Sequence, residues 1–435
     1  MAPPGFQTSV GPAAAAAVDL DTLVRGVLFV STFLATWISF HPFKDLGQPP
    51  PEITGGGDLA NQVGFTVIFL ILAAWTWFHE PSRLSLLLRP TLIATLAWFA
   101  LTILTSWEPA LAARRVAFMF VIMSISGMAL LLPKNLRHFG DLMAVTVLIV
   151  LAACYFGVFL LPQYSIHHAT DFLEPEHAGD WRGVFGQKNE AGANMVLFIF
   201  VGLFVARTRS FVLGTVIVVL SLAFLAFTQS KTAIGMLAPV LILSHVIIHG
   251  RRPFVGVALV IAVLAVFNLF SVGTVVFEPV RNLIESVMPD ATFTGRTEIW
   301  QFALDHMMVH PILGYGFGAF WGTPEVVYGM SGNSVWANTA EHAHNSYLNL
   351  AITVGLPGLA LVIVWGVIMP ILDFYRLSPD TSSRPLQIFF LRACLFGLLA
   401  SSLESVIFQE LAEGSFLYLT GVLGLRYLSV TRVRV

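Results

Sequence analysis

Glu341, His342, His344 and Asn345 fall within five consecutive positions of the stretch TAEHAHNSYLNLAITVGLPG, Thr339 to Gly358, where a long apolar run begins. An imidazole near its ordinary pKa can take a proton from a hydroxyl, so this grouping at a lipid–water boundary suits proton transfer. A polar helix start is the plainer use of the same residues. A second group is cationic. Arg114, Arg115, Lys188 and Lys231 lie at or close to the ends of apolar stretches, and Arg182 and Arg296 fall in the two long loops on the same side. Cations at membrane depth tend to face a cavity and a partner, and several that converge would bind an anion. For Arg114, Arg115 and Arg281 the alternative is snorkelling to lipid phosphate. His306 and His310 stand four apart, a metal-like spacing, but no HExxH pattern accompanies them.

These residues sit in an apolar chain. Of 435 residues 56% are hydrophobic and 11% charged, and the mean hydropathy is +0.80. A soluble domain cannot bury that much apolar surface. Continuous apolar windows, without the alternation of an outer-membrane barrel, predict an all-α polytopic membrane protein. The windows are Leu23–Phe40, Val63–Phe78, Thr91–Trp107, Val116–Leu132, Asp141–Leu161, Glu190–Ala206 and Phe211–Thr228. They continue as Thr232–Ile248, Phe254–Phe277, Ser346–Pro370, Leu386–Ile407 and Ser415–Leu428, about twelve spans. The net charge of −2 says nothing about nucleic acid, but no basic tail is present and no nucleic-acid partner is expected. Cys154 and Cys394 each fall inside an apolar segment and read as packing residues. The first 22 residues lack a basic n-region, so a short tail and an uncleaved first helix are expected.

Basic residues orient the bundle. With the N-terminus in the cytoplasm, Arg83, Arg89, Lys134, Arg137, Arg207, Arg209, Arg251, Arg252, Arg376, Arg384, Arg426, Arg432 and Arg434 lie inside. Fewer fall outside: Lys44, Arg114, Arg115, Arg182, Lys188, Lys231, Arg281 and Arg296. Both termini, 1–22 and 430–435, are then cytoplasmic, and the two long loops, Pro162–Asn189 and Glu278–Asn345, are extracytoplasmic. The larger loop, between the ninth and tenth spans, is too long for a passive connection. In TGRTEIWQFALDHMMVHP, Thr294–Pro311, Thr294 suits an N-cap, Glu298 the first turn and Pro311 a stop. Ile299, Trp300, Ala303, Met307 and Met308 give that helix an apolar face to lay on the bundle. Arg296 at its start, with free helix N–H groups, would favour a phosphate; a capping or lipid-facing arginine is the alternative. The turn Gly314-Tyr315-Gly316-Phe317-Gly318 has no βαβ context and is not a phosphate loop.

TFTGRTEIW, GYGFG and HAHNSYLNLAITVGLPG together resemble the O-antigen ligase/polymerase superfamily. WRGVFGQKNEAGA, Trp181–Ala193, and LAFTQSKTAIGML, Leu225–Leu237, fit the same superfamily, and the first looks most like its exopolysaccharide-polymerase branch. The resemblance runs from Trp181 to the C-terminus; residues 23–180 agree by helix count, and 181–429 form the matching core. It implies a C-type glycosyltransferase-like bundle. It also implies transfer of glycan from an undecaprenyl-pyrophosphate donor to a sugar hydroxyl on the outer face of the bacterial inner membrane. His344 then matches the essential histidine and Arg296 the loop arginine, as the catalytic pair. Lys231 falls where many members carry Arg in an S-R-G pattern. Here the sequence is Ser230-Lys231-Thr232, which keeps the charge without the bidentate fork. Arg182 and Lys188 match the basic residues of the WRG and QKN motifs, and with Arg115, His342 and Asn345 complete the expected substrate-binding set.

A pyrophosphate leaving group requires fixed positive charge, and the outer cations would take the place of a divalent metal. No cofactor and no metal ligand set is therefore expected, although Glu174, Glu176 and Asp180 form an acidic stretch. The expected reaction inverts the anomeric centre by direct displacement. Polymerisation of exopolysaccharide or O-antigen repeats is favoured over ligation to lipid A–core, with a chain-length regulator as a further partner. Because the chain ends soon after its last span, a protein acceptor is disfavoured. A lipid-linked glycan transporter is the alternative of another class, opposed by the off-centre long loop and the lack of an internal repeat.

Overall fold

The structure is a computed structural model describing residues 19–38, 40–48, 59–172, 175–287, 293, 295–329, 340–379, 382–408 and 413–431. Thr294, Glu174, Arg432 and Arg434 lie outside the described residues.

Each apolar window becomes a helix. In chain order these are α1 (Leu20–Ile38), α2 (Leu59–His79), the short α3 (Pro81–Leu87), α4 (Pro90–Thr102), α5 (Pro109–Ala129) and α6 (Leu136–Leu160). Next come α7 (Lys188–Thr208), α8 (Phe211–Thr228), α9 (Lys231–His249) and α10 (Pro253–Phe270). In the long loop lie α11 (Gly273–Val276), α12 (Glu278–Val287) and α13 (Arg296–Met307). The bundle closes with α14 (Ser346–Arg376), α15 (Arg384–Ala400) and α16 (Glu413–Val430). Among the described residues nine helices have the length and apolarity of a membrane span: α1, α2, α5 to α10 and α14. Shorter apolar helices at Pro90–Thr105 and Ser415–Val430, and the largely buried 17-residue α15, occupy the remaining three windows. The molecule is an all-α polytopic membrane protein.

Some boundaries differ from those expected of the sequence. The ninth window breaks at Phe270, where α10 gives way to α11. The Leu386–Ile407 window stops as helix at Ala400, so Glu404 belongs to a loop. In α13 the buried residues are Ile299, Trp300, Phe302 and Ala303, whereas Met308 is 69% exposed. Phe302, not among the residues of the expected face, is buried because Phe320 and Trp321 of the loop pack on its ring, each with centroids 5.9 Å away.

Central helices α7 and α15 are buried along most of their length, while α10 is mostly exposed. Small residues let α7 and α8 approach closely. A Cβ on Gly214 would lie 2.4 Å from Gly202 O and 2.3 Å from Ala206 N, too close for any side chain. The contacts between helix ends sort into two faces. On one, Arg25 meets Glu80, Lys134 meets Asp19 and Asp21, and Arg209 meets Asp141. Buried Arg89 makes a two-bond fork to Asp373 there, at 2.8 and 3.0 Å. On the other face, the 40–48 and 161–187 segments pair through Phe172 N–H to Leu46 O, and the long loop sits over α14.

The GYGFG turn has a structural task. Helix α14 breaks at Gly355, whose φ of 72° only glycine adopts freely, and a Cβ there would lie 2.0 Å from Ile312 O. The break frees carbonyls at membrane depth, which need donors. Tyr315 N–H donates to Ile352 O at 3.1 Å, Gly316 N–H to Thr353 O at 2.9 Å and Trp98 Nε1–H to Val354 O at 2.8 Å. The loop is thereby clasped into the helix directly below His344.

Candidate functional site

Arg296, His342 and His344 come together, and a carboxylate that no motif marks joins them. Glu404 Oε1 accepts a 2.7 Å bond from Arg296 Nη2, and its Oε2 lies 3.3 Å from His344 Nδ1. Arg296 Nη1 also donates to Leu403 O. Burial by itself would raise the Glu404 pKa. Only together do the Arg296 charge, the His344 charge and the hydrogen bonds from His344 and Arg296 outweigh it, and they hold the carboxyl down to about 2. The carboxylate is ionised at neutral pH and bridges a guanidinium and an imidazole.

Local structure fixes each member. Asn345 N-caps α14, its side chain accepting from Leu348 N–H at 3.0 Å. Its amide also donates to Asn268 Oδ1 and to Ser402 O, each at 2.9 Å, so the fully buried Asn345 ties α10, α14 and the 401–408 segment. The next residue along, Ser346, presents its hydroxyl to Val406 N–H at 2.7 Å and Ile407 N–H at 3.0 Å, and donates to Glu404 O at 3.2 Å. Glu404 is thus wrapped onto the start of α14, sixty positions from His344 in sequence. Helix α13 carries Arg296 in its first turn and is pinned to the histidine loop by Trp300 Nε1–H, which donates to Ala343 O at 2.9 Å. His344 itself has φ 46°, a left-handed conformation sparsely populated for residues with a Cβ and characteristic of sites held by their surroundings.

His342 packs directly beside His344. Its Nδ1 accepts the His344 backbone N–H at 3.2 Å, and the rings meet edge-to-face with centroids 4.2 Å apart. Burial first, then the neighbouring His344 and Arg296 charges, push its pKa down to about 3, against the pull of Glu404. His342 is therefore a neutral acceptor at pH 7. Glu341 is exposed, and among the described residues no group of three or more His, Cys, Asp or Glu side chains is placed to hold a metal ion.

The remaining cations are distributed differently. Arg182 is 1% exposed and braces its own loop, donating to Phe185 O at 3.0 Å and to Lys44 O; burial lowers its pKa. Lys188 opens α7 and pairs with Asp180 at 2.7 Å, beside the His167–Asp171 pair at 2.9 Å. Lys231 opens α9 on the same face, next to Ser230, whose hydroxyl bonds Asn189 at 2.9 Å. It is exposed, and no ion pair engages it among the described residues. Arg115 lies against the GYGFG turn, where a Cβ on Gly318 would come within 2.7 Å of its side chain. His306 and His310 pack on Phe302 and Tyr315 respectively.

Glu404 escapes sequence reasoning because its segment, Ser401-Ser402-Leu403-Glu404-Ser405, matches no motif. A signal exists nonetheless: the window Leu386–Ile407 places an acid inside an expected span, and intramembrane acids mark function by default.

Residues 193–363 match the family model described as O-antigen ligase, a region that includes Lys231, Arg296, His342, His344 and Asn345. The exopolysaccharide production protein ExoQ of Rhizobium meliloti (strain 1021) is 27% identical over 277 residues, 60% of this chain. The match spans 62% of ExoQ's own length. Both support the resemblance to the O-antigen ligase/polymerase superfamily, and the similarity to ExoQ supports the likeness to its exopolysaccharide branch.

Proposed function

We propose that this relative of the O-antigen ligases is a membrane glycosyltransferase that extends an exopolysaccharide or O-antigen chain from an undecaprenyl-pyrophosphate-linked donor. The observation that carries the reading is the Arg296–Glu404–His344 arrangement under a loop clasped to a broken membrane helix. Ionised Glu404 accepts the Nδ1–H of His344, which leaves Nε2 unprotonated and able to accept a proton. Arg296 occupies the other carboxylate oxygen, so the carboxylate cannot swing away.

In the proposed step an acceptor sugar hydroxyl attacks the anomeric carbon of the donor. The new C–O bond forms as the bond to pyrophosphate breaks, its electron pair leaving on the pyrophosphate oxygen. The hydroxyl proton passes to His344 Nε2 and then to water. Attack opposite the leaving group inverts the anomeric centre. The charge that develops on pyrophosphate needs fixed cations. Lys231 is the exposed candidate; Arg296 serves the carboxylate first, and Arg182 holds the loop that presents Lys188. His342, neutral and adjacent, is placed to bond the acceptor, while Asn345 holds the backbone under His344. Polymerisation is preferred to ligation because the relative ExoQ is named for exopolysaccharide production. A polymerase would work on the outer face of the inner membrane, both termini cytoplasmic, with a chain-length regulator as partner.

The test is purified protein in lipid with a synthetic pyrophosphate-linked oligosaccharide and an oligosaccharide acceptor, with and without chelator. Chain extension that survives chelation and disappears in His344→Ala supports the reading. Normal turnover by His344→Ala, or wild-type activity lost to chelator and restored by a divalent ion, refutes it.

A further inference from the structure

We propose that the cleft between α7 and α15, at the end of the bundle opposite Arg296, binds the headgroup phosphate of an acidic phospholipid. Arg392 lies eight residues into α15, about 12 Å from its start at the helical rise. An arginine at that depth is costly unless paired or hydrated, and it marks a site by default. Yet its guanidinium makes a single long bond, Nε to Ser244 Oγ at 3.4 Å, and no carboxylate pairs with it among the described residues. The cleft beside it is lined by Phe200, Phe204, Ile388 and Phe389, and Arg207 is its second cation.

Arg207 is in the last turn of α7, exposed and without an ion pair among the described residues. The nearby acid Asp141 is already engaged by Arg209. Two guanidiniums beside one apolar cleft repel each other, so an anion placed between them removes both the repulsion and the unmet donors. Helical side chains lean toward their own N-terminus, so Arg392 leans toward the start of α15 and the membrane interface there. Pro385, at that start, lines the same cleft as Arg207. The apolar side chains offer a surface for an acyl chain to lie along and the arginines offer donors to a phosphate at its edge, the combination that a basic pocket between spans offers to an acidic lipid. Guanidinium forks match phosphate oxygens, and a zwitterionic headgroup would bring its own ammonium against them.

The experiment is native mass spectrometry of the full chain, delipidated in detergent and given equal amounts of phosphatidylglycerol and phosphatidylethanolamine with the same acyl chains. The first lipid bound by the wild type should be phosphatidylglycerol by about tenfold, as expected for one charge-assisted contact. Arg392→Gln should bring the two lipids near parity and Arg207→Gln should lower the preference, while Arg392→Lys keeps part of it. Arg207→Gln changes an exposed residue, so it tests the site even if Arg392→Gln does not fold. The Arg251→Gln, Arg252→Gln double variant, on the same face but outside the cleft, should leave the preference intact. Equal binding of the two lipids by wild type overturns the proposal. So does a preference that survives Arg207→Gln unchanged, falls equally in the Arg251, Arg252 control, or is abolished by excess inorganic phosphate.

Discussion

Replacing Glu404 by glutamine keeps the shape of the side chain, removes its charge and reverses one of its hydrogen bonds. Arg296 Nη2 sits 2.7 Å from Oε1 and donates only, so the amide must turn its oxygen to Arg296. Its NH2 then faces His344 Nδ1, where the carboxylate oxygen lay at 3.3 Å. Facing a donor, Nδ1 becomes an acceptor and the ring proton moves to Nε2, the atom that should receive the acceptor's proton. The base is present in the wrong tautomer. General-base contributions run from about a hundred- to ten-thousandfold, so kcat should fall within that range while donor KM changes little. Glu404→Asp retains the charge but is one methylene shorter and cannot span both partners, so its loss should be smaller. The assay is initial-rate chain extension by purified protein in lipid at matched folded amounts. Glu404→Gln turning over within threefold of wild type, roughly what a lost neutral contact would cost, refutes the tautomer argument.

Four other outcomes are expected. Glu404 is held down from 4.5 to about 2, so it contributes stability above pH 4.5 that disappears as pH falls toward 2, up to about 3 kcal/mol. His342, held from 6.5 down to about 3, contributes stability above pH 6.5 that starts to fall as pH drops below it. Thermal unfolding in detergent should show the earlier loss vanish in His342→Gln. Gly355→Ala should cost at least about 1–3 kcal/mol and lower Tm, because the new Cβ meets both the positive φ and Ile312 O. Lys231→Ala should raise donor KM by about tenfold or more with Tm unchanged, and Lys231→Arg should retain most of the affinity; no change in KM would remove Lys231 from the donor site. Single cysteines at Met308 and Arg251 should label oppositely with an impermeant thiol reagent in intact spheroplasts, the first accessible and the second protected; buried Cys154 and Cys394 should stay silent.

Sequence by itself determined the approximate place of the apolar helices, because bilayer insertion reads local hydrophobicity and each window carries its own; which of them reach the length of a span did not follow from it. It also marked Arg296 and the Glu341–Asn345 grouping, since the long loop and the helix start that hold them are local features; the preference for His344 over His342 came from the resemblance to the superfamily. Folding decided the rest through contacts between distant segments. Glu404 reaches His344 across sixty positions only because the Ser346 hydroxyl gathers the 404–407 backbone. Arg182, expected from its motif in the substrate-binding set, gives its two terminal nitrogens to carbonyls of its own loop and of Lys44, while its Nε is left without a hydrogen-bond partner. Asn345 became a cap and a tie to Asn268. The GYGFG turn acquired its purpose from the broken carbonyls of α14, a partner about forty residues downstream that no local pattern announces. Hydrophobic periodicity is a property of one segment. The pairing of a buried polar group is decided by whichever donor or acceptor the packing brings within about 3 Å, and that is settled only when the helices are assembled.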